Sequence, residues 1–225
     1  YGCLPGEKAE SRTREALAQL GEDDPWVKPC DCSVDEQIDR FFADYARAFE
    51  RLDFVIHAIA FADREWLAPG RFVETPREAY LQAIDVSAYS LVAMARAARE
   101  QMKAGGGGSI VAMSYLGAQR AVPGYNAMGV AKAALESTAR YLALELGEDA
   151  IRVNTVSGGP LKTLAASAIR GFKQMLAADA ERSPLKRNVS GGDVGGTVAY
   201  LVSELGSGVT GENIFVDCGV NMVGI

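Results

Sequence analysis

Two apolar runs constrain the fold of this chain more than anything else in it. Leu52-Asp-Phe-Val-Ile-His-Ala-Ile-Ala60 is almost unbroken, and the four residues between the serines of Ser109-Ile-Val-Ala-Met-Ser114 are all apolar; residues 151–157 read as a further strand. A strand with one face in water alternates apolar with polar side chains, whereas a strand covered on both faces does not. Between the runs the pattern is helical: residues 76–103 and 125–146 repeat apolar side chains at helical spacing. Upstream, residues 5–20 are rich in helix formers, 26–32 is a short extended run, and Ser33-Val-Asp-Glu36 has the spacing of a capping box that opens a helix to about residue 51. Downstream, 192–204 reads as a helix and 213–217 as a last strand. Strands alternating with helices imply right-handed crossovers, and so an α/β fold: a doubly wound parallel sheet with helices on both faces. With no repeat and no linker, residues 1–225 are expected to form a single domain. In such sheets ligands sit beyond the carboxyl ends of the strands, here near Cys32, Ala60, Ser114 and Ser157.

Composition removes several function classes. Lys plus Arg is 23 against 29 for Asp plus Glu, a net charge of −6, which argues against a nucleic-acid binder. The single histidine, His57, excludes a His-rich metal site, and no metal is expected. Any nucleophilic mechanism that needs a histidine would need His57 itself, which lies inside an apolar strand and reads as a core residue. Cys3, Cys30, Cys32 and Cys218 form no CxxC pair and read as free thiols in a reducing cytosol, so a cytoplasmic location is expected. No run approaches the roughly 18 apolar residues of a membrane span, and no signal-peptide pattern opens the chain. The run Gly105 to Gly108 lacks the Lys-Ser/Thr of a phosphate loop and reads as a flexible turn.

The segment richest in chemistry runs from Ser114 to Lys132. A strand ends, a loop crosses the sheet top, and a helix starts near Tyr125. Lys132 follows Tyr125 by seven residues, about 20° short of two full turns, so both side chains share one helix face, about 10 Å apart along the axis. A reactant between them meets a phenol and an ammonium together. A lysine beside a phenol favours phenolate-like charge and offers donors to a sugar hydroxyl.

These residues resemble the short-chain dehydrogenase/reductase superfamily, and more narrowly the enoyl-acyl-carrier-protein reductases of bacterial type II fatty-acid synthesis. The commoner superfamily pattern has Lys four residues after Tyr, where this chain has Gly129. The enoyl reductases instead use Tyr, six residues, Lys, with another Tyr ten residues earlier, and Tyr115, Tyr125 and Lys132 fit that spacing. Asp85-Val-Ser-Ala-Tyr-Ser90, Arg152-Val-Asn-Thr-Val-Ser-Gly-Gly-Pro160, Thr163-Leu-Ala-Ala166 and Gly211-Glu-Asn-Ile-Phe-Val-Asp217 resemble further segments of that family. The resemblance covers nearly the whole chain.

The resemblance implies a Rossmann-like reductase domain with a helical substrate lid around 160–185. It implies NADH-dependent reduction of trans-2-enoyl thioesters on acyl carrier protein, with hydride delivered to the β-carbon. NADH is the family default and NADPH is not excluded, because little of the second strand's end is present to discriminate. Tyr125 would donate to the thioester oxygen, Lys132 would hold the nicotinamide ribose, and Tyr115 would line the pocket beside the thioester. Cofactor contacts carry over to Asp31 and Cys32 at the adenine, to Ala58, Ile59 and Ala60 along the ribose and pyrophosphate, to Ser114, and to Pro160, Leu161 and Thr163. Met128, Leu164, Ala165, Ile169, Phe172 and Met175 would line the acyl pocket. Docking of the acidic carrier protein would use Arg170, Lys173, Lys186 and Arg187. A homotetramer is implied, built from the helices around 85–96 and 125–143, with no nucleic-acid or membrane partner.

Two departures qualify the resemblance. Gly158-Gly159 replaces the usual Ala-Gly, which implies a looser turn, and Ala60 stands where many members have Gly. The family also begins with a strand and a glycine-rich turn that this chain lacks, so the native polypeptide is expected to carry about 40 further residues ahead of Tyr1. Two other readings stay open at this point: a carbonyl or pteridine reductase of the same superfamily, and a non-catalytic subunit that kept the fold.

Overall fold

The computed structural model describes residues 1–161 and 172–224, with side chains for all of these except 172–175. The elements run β1 (Gly2–Cys3), α1 (Glu7–Ala18), β2 (Lys28–Pro29), α2 (Asp35–Ala48), β3 (Phe54–His57), α3 (Arg77–Ile84), a π-turn (Asp85–Tyr89), α4 (Ser90–Ala104), β4 (Gly108–Ser114), α5 (Asn126–Leu146), β5 (Ile151–Gly158), α6 (Phe172–Arg182), α7 (Gly191–Val202) and β6 (Asn213–Val216). Every ladder is parallel. The strands form two sheets among the described residues, a pair β1-β2 and a four-stranded sheet in the order β3-β4-β5-β6.

The apolar runs form the strands because both faces are covered. Ile110, Ala112, Ile151 and Val153 pack with Ile38 and Phe42 of α2, Leu91 and Ala98 of α4, and Leu135 and Ala139 of α5. Their neighbours Val111 and Val156 point the other way, into a cluster with Val194 and Leu201 of α7. Alternate residues of one strand thus feed two separate cores, which is why the sequence shows no polar alternation. Small residues on α5 (Ala127, Ala131, Ala139, Ala143) let that helix lie close to the strands and to its neighbours.

Two local expectations are corrected. Residues 77–104 are helical throughout but not one regular α-helix: a π-turn at Asp85–Tyr89 joins α3 to α4. Ser33 does not cap α2, because the Asp31 carboxylate takes its hydroxyl at 2.7 Å and its amide at 3.0 Å, leaving Val34 at the N-cap with no side-chain bond. A full capping box instead opens α7, between Ser190 and Asp193.

His57 is fully buried at the end of β3, with Nε2 at 2.7 Å from the Ser90 hydroxyl. That hydroxyl donates to the Val86 carbonyl at 2.7 Å, so Nε2 carries the proton and donates to it; the unprotonated Nδ1 has no partner among the described residues. Burial, and then the positive Lys132, pull the His57 pKa from 6.5 down to about 3. The unfolded chain binds this proton near pH 6.5 and the folded chain does not, so stability is full above pH 6.5 and falls as pH drops toward 3. Between pH 7.5 and 5, urea unfolding of the protein should lose about 2 kcal/mol more than that of His57→Gln, which carries no ring to protonate. Equal losses in the two proteins would contradict this assignment.

Candidate active site

The carboxyl end of β4 and the start of α5 bring the two tyrosines together. Tyr115 follows the last residue of β4, a short 3-10 turn spans Leu116–Ala118, and Tyr125 stands at the N-cap of α5. Asn126 fixes where the helix begins: its side-chain amide donates to the carbonyls of Trp66 at 2.6 Å and Ala68 at 2.9 Å. The Tyr115 and Tyr125 rings meet edge to face, with centroids 4.9 Å apart and planes at 68°. Gly117 lies flat against both rings. A Cβ there would sit 2.8 Å from Tyr125 Cε1 and 3.2 Å from Tyr115 Cδ1. Gly129 on α5 touches the same turn from below, since its Cβ would come 2.8 Å from the Gly117 carbonyl oxygen. The commoner superfamily lysine therefore has no room at position 129.

Both phenols are held in the protonated, donating form. Burial, and then the neighbouring Tyr115, push the Tyr125 pKa above its usual value, and burial pushes Tyr115 up to about 12. The expected phenolate-like character is thus corrected. Desolvation of the anion dominates, and the Lys132 ammonium is engaged elsewhere.

Lys132 is only 5% exposed. Its Nζ donates to the Met113 carbonyl at 2.7 Å and to the Ile59 carbonyl at 3.4 Å, bridging the ends of β4 and β3. An ammonium has three N–H donors, so one is left for a ligand hydroxyl among the described residues. Burial lowers the Lys132 pKa from 10.5 to about 8. Charged lysine therefore predominates at neutral pH and is lost as pH rises through 8. The kcat/KM for the dinucleotide should be flat below pH 7 and fall about tenfold per pH unit well above 8. A profile that stays flat to pH 9.5 would contradict the assignment.

The dinucleotide stretch falls where small, open residues follow β3. Ala58 and Ala60 are exposed and Ile59 is half-buried. At the end of β5 the Ser157 hydroxyl is buried without a partner among the described residues, a polar atom that a bound ligand can satisfy. The free N–H of Lys132, the unscreened backbone at Ala58 and Ala60 and the Ser157 hydroxyl together fit a sugar–phosphate ligand across the strand ends. Asp31 and Cys32 lie at the end of β2, both half-buried. The Asp31 carboxylate is already committed to Ser33, and Cys32 Sγ lies 3.9 Å from Cys30 Sγ. Pro160 is buried, and Leu161 packs beside the α7 core.

Some expected site residues are placed differently. The Ser114 hydroxyl is not free for a cofactor: it donates to Glu136 Oε1 at 2.7 Å, while the Gln119 amide donates to Oε2 at 3.1 Å. Met128, expected in the acyl pocket, is 6% exposed and packs with Ala83, Ala127 and Ala131, with Tyr125 against the same cluster. Arg187 pairs with Asp193 at 2.7 Å, which offsets its charge, whereas exposed Lys186 donates only to the Glu181 carbonyl at 2.8 Å and keeps its charge. Thr163, Leu164, Ala165, Ile169 and Arg170 lie outside the described residues, as do the side chains of Phe172, Lys173 and Met175. Among the described residues no cluster of three His, Cys, Asp or Glu side chains is placed to hold a metal ion.

Sequence reasoning missed Glu136, Ser87 and Ser90. Glu136 stands four residues after Lys132, a spacing that reads as an exposed ion pair. Both side chains are buried and each bonds elsewhere. The readable signal was the setting of Glu136, an acid in the middle of an Ala- and Leu-rich helix one turn from Lys132.

Comparison with known proteins agrees with this geometry. A family model described as Enoyl-(Acyl carrier protein) reductase matches residues 3–221. The chain is 47% identical to the enoyl-[acyl-carrier-protein] reductase [NADPH] FabI of Staphylococcus aureus (strain MRSA252), over 96% of this chain and 84% of that protein. It is 46% identical to the enoyl-[acyl-carrier-protein] reductase [NADH] FabI of Neisseria meningitidis serogroup B, over 96% and 82%. Among solved structures, the enoyl-(acyl-carrier-protein) reductase of Anaplasma phagocytophilum in complex with NAD superposes with a TM-score of 0.92 at 43% identity, covering 100% of this chain and 83% of that one. The parallel strands, the Tyr115–Tyr125–Lys132 arrangement and these matches lead to one conclusion: the chain belongs to the enoyl-acyl-carrier-protein reductase family.

Proposed function

We propose that this protein reduces trans-2-enoyl thioesters of acyl carrier protein with NADH, and that Tyr125 and Lys132 divide the work. The observation that carries the reading is the pair of buried groups at one sheet end: a phenol held protonated and an ammonium with one donor to spare. Reduced nicotinamide supplies the hydride. As negative charge develops on the thioester oxygen, the Tyr125 hydroxyl donates to it, and the low-dielectric surroundings strengthen that bond. Tyr115 packs against the Tyr125 ring and keeps the hydroxyl aimed. Lys132 holds the ribose hydroxyls, and its bonds to the Met113 and Ile59 carbonyls fix its own position. Ala58 to Ala60 would run past the pyrophosphate, Asp31 and Cys32 would lie at the adenine, Pro160, Leu161 and Thr163 would close over the nicotinamide, and residues 160–185 would cover the acyl chain.

Relatives named as NADH and as NADPH enzymes both occur, so the two dinucleotides should be compared directly. Loss of reduced-nicotinamide absorbance with an enoyl thioester, and none with a ketone, is the expected result. Turnover of the ketone alone would favour a carbonyl reductase. Four free thiols fit work in the cytosol. Tyr141 and Leu144 on α5 are 73% and 80% exposed, which supports assembly of copies through that helix, as a homotetramer. Light scattering would give the mass.

A further inference from the structure

The segment that follows β3 is held by polar tethers on alternate residues. His57 Nε2 meets the Ser90 hydroxyl at 2.7 Å, the Ile59 carbonyl accepts from Lys132 Nζ at 3.4 Å, and Phe61 is clamped through both of its main-chain groups by Ser87. The Ser87 hydroxyl accepts from the Phe61 amide at 2.9 Å and donates to the Phe61 carbonyl at 3.1 Å. The residues between, Ala58 and Ala60, are exposed. From 57 to 60 burial alternates, His57 and Ile59 inward and Ala58 and Ala60 outward, as in an extended chain; Phe61 is held through its main chain while its side chain is exposed.

Hydrophobic packing holds little of residues 58–61, although Ala62 beside them joins the cluster of Ala83, Ala127, Met128 and Ala131. The Phe61 side chain is 44% exposed, and residues 58–63 belong to no helix or strand. Ser87 is fully buried, and so is Ser90. Both are presented by the π-turn and the first residue after it, where the regular α-helix between residues 77 and 104 is interrupted although it contains neither Gly nor Pro. A π-turn gives up regular hydrogen bonding and recurs at functional sites. Here it delivers two serine hydroxyls to one strand end.

We propose that Ser87 is a positioning residue for the dinucleotide: through Phe61 it sets the path of residues 58–60, so that the backbone there meets the ligand while Ile59 stays on Lys132. The proposal rests on the reading of 58–60 as the dinucleotide stretch. Ser87→Ala removes both bonds with little change in volume, and Ser87→Thr restores the hydroxyl. The measurements are the dissociation constant for the dinucleotide by calorimetry, KM and kcat with each substrate, and amide exchange at Phe61.

Ser87→Ala should raise the dinucleotide Kd and KM roughly tenfold and speed exchange at Phe61. Its kcat and enoyl-thioester KM at saturating dinucleotide should stay within about twofold, and Ser87→Thr should recover most of the loss. A Ser87→Ala protein that binds dinucleotide as wild type does would overturn the proposal. So would a variant in which both KM values and kcat shift together, because that is the mark of a purely structural role. Lys132→Met separates the two failures. If it weakens binding and Ser87→Ala does not, the proposal falls and the dinucleotide reading stands; if neither weakens binding, both fall.

Discussion

Replacing Tyr125 by phenylalanine should lower the kcat for an enoyl thioester about 10²–10³-fold and leave dinucleotide affinity within about twofold, because one preorganised donor to a developing oxyanion is removed and nothing else. The ring itself is held by its edge contact with Tyr115 and by the flat face of Gly117, and phenylalanine keeps both. Burial keeps the Tyr125 phenol protonated well past neutral pH, so the wild-type kcat should show no loss from this group between pH 6 and 8. Steady-state kinetics at saturating dinucleotide measures the effect. A Tyr125→Phe enzyme within about threefold of wild type would mean that another group supports the oxyanion.

Gly117→Ala should be nearly as damaging, although position 117 offers no chemistry. The added carbon would sit 2.8 Å from Tyr125 Cε1 and 3.2 Å from Tyr115 Cδ1, and closer still to Tyr125 Cδ1, well inside van der Waals contact. The turn has little room to retreat, because it packs so closely on α5 that only a glycine fits at position 129. One or both rings must move, and a displacement near 1 Å costs on the order of 10²-fold in rate. The expected result is a kcat about 10²-fold down with dinucleotide Kd unchanged, since Lys132 and residues 58–60 are not involved. A kcat within about threefold of wild type would show that the ring geometry is not required.

The architecture was legible because burial on both faces leaves a direct mark, the unbroken apolar run. The Tyr-Lys spacing was legible for a similar reason: helical period alone sets which residues share a face. What escaped reading depends on tertiary partners. Residues 77–104 contain nothing that breaks a helix, and the π-turn is explained only by what Ser87 and Ser90 reach, Phe61 and His57. Ser33 carries a capping-box spacing, but Asp31 competes for its hydroxyl and wins. Lys132 and Glu136 read as a surface pair, and are two buried groups with separate partners. Ser114 sits at the right strand end, yet its hydroxyl donates to Glu136.

The central claim is that Lys132 serves the dinucleotide and Tyr125 serves the substrate. Keeping Lys132 charged in its buried site costs roughly 3 kcal/mol at neutral pH, the difference between a pKa of 10.5 and one of about 8, so Lys132→Met should remain folded. The most direct test is calorimetric titration of NADH into the wild-type protein, Tyr125→Phe and Lys132→Met. The account predicts wild-type affinity in Tyr125→Phe and a loss of at least about tenfold in Lys132→Met. Unchanged binding in Lys132→Met, or a loss confined to Tyr125→Phe, would contradict it.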